Sequence, residues 1–124
     1  MTNYLIIGIG GFFGAIARYA VALWIGQNWG RMFPLGTFIV NVSGCFLISF
    51  LMSLFTERFM VSPQMRMFLI IGFLGAYTTF STFEYETGSL VKDGQWLLAM
   101  MNVIFSVIAG FAALKLGEVA GKSI

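Results

Sequence analysis

At 124 residues the chain is long enough for one small domain, yet 59% of it is hydrophobic and only 10% is charged, against about 25% charged residues in soluble domains. A water-soluble fold of this size could not bury that much apolar surface, so the composition reads as an integral membrane protein in a lipid bilayer. A net charge of +2 without any basic run offers no footprint for nucleic acid. The lack of histidine removes the commonest metal ligand and proton shuttle, and the single cysteine, Cys45, excludes an internal disulfide.

A helix needs about 20 mostly apolar residues to cross the hydrocarbon core. The first predicted span runs from about Tyr4 to Ile25, with Arg18 as its only charge. Its apolar start lacks the basic region of a signal peptide and reads as a retained span. Gly10 and Gly14 form a GxxxG pair in it, which suits close helix packing. The second span, about Leu35 to Thr56, is uncharged and carries Asn41 and Ser43. The third, about 67–90, is uncharged as far as Glu84, with Gly72 and Ala76 as a small-xxx-small pair. The fourth, about Trp96 to Leu114, is again uncharged. Short polar links join them, and Trp24, Trp29 and Trp96 fall near the expected interfaces.

Four spans put both termini on one side. Arg58, Arg66, Lys115 and Lys122 lie on that side, and Arg31 and Lys92 on the other. This is a slight bias toward cytoplasmic termini. Such near-balance leaves two arrangements open: orientation by small effects, or insertion both ways, which permits an antiparallel homodimer. Four helices shield a pathway poorly, so oligomerisation is expected in either case.

Known catalytic patterns are missing. "GIGGFFG" has Phe13 where a dinucleotide loop needs glycine, and "NVS" at Asn41 lies inside a span, out of reach of glycosylation. No metal-ligand spacing, nucleophile elbow or P-loop occurs, so an enzyme is not expected. What stands out is neutral polarity inside the spans: Asn41, the hydroxyls of Thr78, Thr79, Ser81 and Thr82, and Asn102 with Ser106 at i, i+4 on one helix face. A lone Ser or Thr in a span usually bonds a backbone carbonyl, but an amide has four hydrogen-bonding positions that hydrocarbon leaves empty. The first acid in the chain is Glu57, so span one contains no carboxylate for a proton relay. Neutral donors suit a small anion stripped of water, and the edges of Phe80 and Phe83, at i, i+3, are electropositive without a fixed charge. Packing alone would also account for the two rings.

Arg18 lies about seven residues from the nearer end of its span, or about 10 Å. It can snorkel, pair with Glu84 or Glu86, or draw anions to a vestibule. The segment from Gly75 to Thr79 is a poor helix former, and irregular backbone at membrane depth survives where it is buried or lines a cavity. A break there would also offer carbonyls to a cation such as Na⁺. A kinked, continuous helix is the plainer alternative.

The stretch "GFLGAYTTFSTFEYET" resembles the signature of the Fluc (CrcB) fluoride channels, with Ala76 where a second glycine is common. "GIGGFFGAIARY" and "PLGTFIVNVSGCFLIS" resemble the same family's first and second helices, so the likeness covers nearly the whole chain. The resemblance implies an all-α membrane protein of four transmembrane helices with the third broken mid-membrane. It implies an antiparallel, dual-topology homodimer in the bacterial inner membrane, passively exporting F⁻. It places a fluoride pathway at Asn41, Phe80, Ser81, Thr82 and Phe83, with Asn102 and Ser106 as the expected fourth-helix track, and Arg18 at a vestibule. It also implies a structural Na⁺ on carbonyls of Gly75 and Thr78. Two other readings are a small dual-topology proton-coupled drug antiporter, which would need an acid in span one, and a non-transporting membrane assembly factor.

Overall fold

The computed structural model describes residues 1–29, 33–57 and 60–124, with Glu57 in backbone only. Arg31 and Arg58, which enter the orientation argument, lie outside the described residues. The described residues are all helical or irregular, without strands. In chain order the helices are α1 (Thr2–Asn28), α2 (Leu35–Glu57), α3 (Pro63–Arg66), a π-helical segment (Met67–Leu74), α4 (Gly75–Tyr77), α5 (Phe80–Lys92) and α6 (Trp96–Ser123). Among the described residues four stretches are long and apolar enough to cross a membrane, the third running from Pro63 to Lys92.

Local chemistry sets several of the ends. Ser62 accepts the Met65 N–H at 3.1 Å and Pro63 follows it, a hydroxyl cap with proline in the first turn of α3. Between α5 and α6 the chain reverses at Gly94, whose φ of +79° favours glycine. There Gly94 N–H bonds the Val91 carbonyl at 3.0 Å and Gln95 N–H the Leu90 carbonyl at 2.7 Å, the paired bonds of a Schellman end. The fourth helix continues past the apolar window that ends near Leu114, reaching Ser123 on a more polar turn where Lys115 pairs with Glu118 at 3.3 Å.

Two seams organise the packing: α1 lies along the π-helical segment and α4, and α2 lies along α6. Both are built on small residues, because in lipid the gain comes from close backbone approach. A Cβ on Gly10 would run into the Phe68 carbonyl, and one on Gly14 into the Phe73 carbonyl. On the other seam a Cβ on Gly117 would strike the Phe46 carbonyl and the Ser49 hydroxyl, while Ser49 Oγ itself donates to the Leu114 carbonyl. Gly110, Ala113, Gly117 and Gly121 are buried along this face of α6. Val40, Leu74 and Tyr77 are buried together where α2 packs against the first seam. Outside them the surface is apolar: Phe12, Phe13, Ile108 and Phe111 are all exposed, as lipid-facing side chains are.

No residue of α5 is buried, so apolar packing within the chain holds it only lightly. Gly117→Val should overpack the α2–α6 seam, costing about 1–3 kcal/mol. Thermal unfolding in detergent should register this as a lowered midpoint; an unchanged midpoint would mean that the seam is slack.

Candidate functional site

The third span is interrupted at Thr78 (φ −87°, ψ 157°) and Thr79 (φ −150°, ψ 122°), both extended. Gly75 itself is helical, at φ −60° and ψ −35°. An interruption in apolar surroundings exposes carbonyls at the end of α4 and N–H groups at the start of α5, and each needs a partner. The Leu74 carbonyl accepts the Thr78 N–H at 3.1 Å and the Thr78 hydroxyl at 3.0 Å. The Ala76 carbonyl accepts Arg18 Nε at 3.2 Å, a cation at the negative end of a helix. Thr79 Oγ1 accepts the Thr82 N–H at 3.2 Å and so caps α5.

Thr79's peptide groups turn to α2. The Thr79 N–H, which in an unbroken helix would seek the Gly75 carbonyl, donates to Asn41 Oδ1 at 2.8 Å. Asn41 Nδ2 donates back to the Thr79 carbonyl at 3.0 Å. The side-chain amide thus pairs with both polar groups of one residue, as a neighbouring strand would. Gly44, three residues further along α2, makes room for the interruption: a Cβ there would collide with the Thr78 methyl.

Beside the interruption lies an open groove of about 370 Å³, lined among others by Asn41, Gly75, Thr78, Thr79, Phe80 and Phe83. The Phe80 and Phe83 ring centroids are 6.0 Å apart with the planes tilted by 51°. Phe80 is 74% exposed, Ser81 is exposed, and Thr82 is half-buried. Ser81, Thr82, Asn102 and Ser106 are not part of this groove lining. Asn102, only 1% exposed, donates from Nδ2 to Thr87 Oγ1 at 2.9 Å, Thr87 Oγ1 donates to the Phe83 carbonyl at 2.8 Å, and Ser106 Oγ stands 3.5 Å from Asn102 Oδ1.

Arg18 therefore serves the end of α4, and among the described residues neither Glu84 nor Glu86 forms an ion pair with it. Glu84 is exposed, whereas Glu86 Oε2 accepts the hydroxyl of buried Thr37 at 3.0 Å. Glu86 Oε1 is buried with no partner among the described residues. Among those residues no three His, Cys, Asp or Glu side chains gather as a metal centre.

Sequence reasoning overlooked Thr37, Gly44 and Thr87. Thr37 lies at i−4 and Gly44 at i+3 from Asn41, on the helix face that meets the interruption. Thr87 lies at i+4 from Phe83. That spacing was the available signal.

The family model described as "CrcB-like protein, Camphor Resistance (CrcB)" matches residues 5–118. Among curated relatives, a protein named "Fluoride-specific ion channel FluC" from Solibacter usitatus is 45% identical over 97% of this chain and 98% of its own. One of the same name from Geotalea uraniireducens is 44% identical over the full length of both. A third, from Desulforapulum autotrophicum, is 41% identical over 98% of each. With its four spans, its interrupted third span and this full-length similarity, the chain belongs to the CrcB family.

Proposed function

We propose that the protein is a passive fluoride channel of the bacterial inner membrane, letting F⁻ leave the cytoplasm and so lowering its toxicity. The observation that carries this is the start of α5. Its helix N-terminus opens beside a groove edged by Phe80 and Phe83, with neutral donors around it. A helix N-terminus favours anions, and ring edges and hydroxyls replace a hydration shell without a fixed charge to trap the ion. The relatives' printed name, "Fluoride-specific ion channel FluC", supports the same reading.

Fluoride that enters as HF ionises at neutral pH, and a membrane potential of 100 mV, negative inside, then drives the anion out with about 2.3 kcal/mol. A narrow path whose donors close around the smaller ion selects against chloride. Ser81 and Thr82 would supply hydroxyls beside the rings, Asn102 and Ser106, which lie outside the groove lining, would extend the path along α6, and Arg18, bonded to the Ala76 carbonyl, would stand at its vestibule.

The working unit is an antiparallel dual-topology homodimer, whose second copy would cover the exposed α5 and the groove. The third helix is then broken at mid-membrane. A structural Na⁺ at the dimer centre would be held by the Gly75 and Thr78 carbonyls of both copies. The residues fit such an ion: the Thr79 N–H is diverted from the Gly75 carbonyl to Asn41, and oxygen is the ligand hard cations prefer. When bound, it supplies positive charge between the ends of the two α4 helices.

A second reading, a small proton-coupled drug antiporter, draws on Glu86, a half-buried acid with one unpartnered oxygen among the described residues. Drug flux coupled to protons and lost in Glu86→Gln would favour it.

Efflux from liposomes, followed with a fluoride electrode, should give rapid F⁻ release with Cl⁻ at least a hundredfold slower; no F⁻ flux, or equal Cl⁻ flux, ends the proposal. Phe80→Ile should slow F⁻ release at least tenfold while the dimer still elutes intact from a sizing column, and an unchanged rate returns Phe80 to packing. Asn41→Asp places a carboxylate against the Thr79 carbonyl and beside the anion path, so release should fall to background in the same assay.

A further inference from the structure

We infer that Thr87 is a positioning residue: its hydroxyl sets the orientation of the buried Asn102 amide, and with it the direction in which Ser106 presents its proton. The inference rests on the fluoride reading above and adds a residue that the pathway assignment lacks.

A threonine hydroxyl has one proton to give. That of Thr87 goes to the Phe83 carbonyl, four residues back on α5, at 2.8 Å. Toward Asn102 the same oxygen can only accept, so it selects the amide nitrogen, which donates at 2.9 Å. With the nitrogen held, the amide oxygen is turned the other way along α6, toward Ser106. Ser106 then points its proton at that oxygen across 3.5 Å, the longest contact in the chain of bonds. Direction runs from Ser106 through Asn102 and Thr87 to Phe83, whose ring edges the groove.

Two properties follow from burial. Asn102 is 1% exposed, so no water is at hand to take over its N–H if the Thr87 oxygen is lost. The slack link is the last one: a hydroxyl held at 3.5 Å can swing its proton to a passing anion without breaking a short bond. A reversed amide would instead direct its N–H groups at Ser106 and break the Thr87 bond to Phe83, altering the donor geometry at both ends.

The experiment is F⁻ release from proteoliposomes at several internal F⁻ concentrations, for wild type, Thr87→Val and Thr87→Ser. Valine keeps the shape and removes the hydroxyl; serine keeps the hydroxyl and removes the methyl. Thr87→Val should release F⁻ at least tenfold more slowly with the dimer intact by sizing, and Thr87→Ser should remain within about twofold of wild type at every concentration. Wild-type rates in Thr87→Val, or Thr87→Ser as slow as Thr87→Val, overturn the inference and leave the fluoride reading standing. A wild type without F⁻ release removes both. If Thr87→Val does not assemble, NMR of the wild-type side-chain amides decides: Asn102 should exchange with solvent at least tenfold more slowly than exposed Asn28, and equal rates overturn the inference.

Discussion

One side-chain amide paired with one peptide unit holds the third span open. Asn41 meets both the N–H and the carbonyl of Thr79, at 2.8 and 3.0 Å. Unpaired peptide groups in hydrocarbon cost several kcal/mol each, which is why transmembrane chains stay helical. By supplying an acceptor and a donor at the spacing of a neighbouring strand, Asn41 makes two residues of extended backbone tolerable where a helix would otherwise be enforced. An aspartate or a leucine at this position could not do both. The asparagine therefore shapes the interruption through the backbone it pairs with.

Once the span is open, its two halves face each other with opposite polarity. The α4 end carries carbonyls and the partial negative charge of a helix terminus, and Arg18 already answers one of those carbonyls at 3.2 Å. The α5 end carries N–H groups, and the Thr79 hydroxyl occupies one of them at 3.2 Å. Helix ends of opposite partial charge thus lie two residues apart on one strand of backbone. A continuous helix would have cancelled both.

The four spans were legible because each is a long run without charges, a signal that depends on local composition alone. Of the expected pathway residues, Asn41, Phe80 and Phe83 line the groove, whereas Ser81, Thr82, Asn102 and Ser106 do not. What could not be read was pairing between helices. Whether the Asn41 amide met an ion, a water or a peptide group depended on which face of α2 turned toward the third span. Thr87 and Thr37 did not stand out because their partners, Asn102 and Glu86, lie 15 and 49 residues away. Gly117 and Gly121 escaped notice because the apolar window closes at Leu114, although the helix and its seam with α2 continue. The Gly75-to-Thr79 stretch was suspect on propensity, yet Gly75 stays helical and the threonines carry the extended turn, since it is at Thr79 that Asn41 offers partners.

The isolation of α5 also bears on how the chain is made. It has no buried residue, carries Glu84 and Glu86, and is tied to its neighbours by hydrogen bonds at Thr79, Glu86 and Thr87. Ionisable side chains inside a span are costly to insert. Emerging from the ribosome alone, α5 would gain little by leaving the membrane interface for the bilayer interior. The tight reversal at Gly94 ties it to α6, uncharged from Trp96 to Leu114 and committed to the bilayer. The last two helices would then enter as one hairpin, the second half of the third span carried in by the helix that follows it.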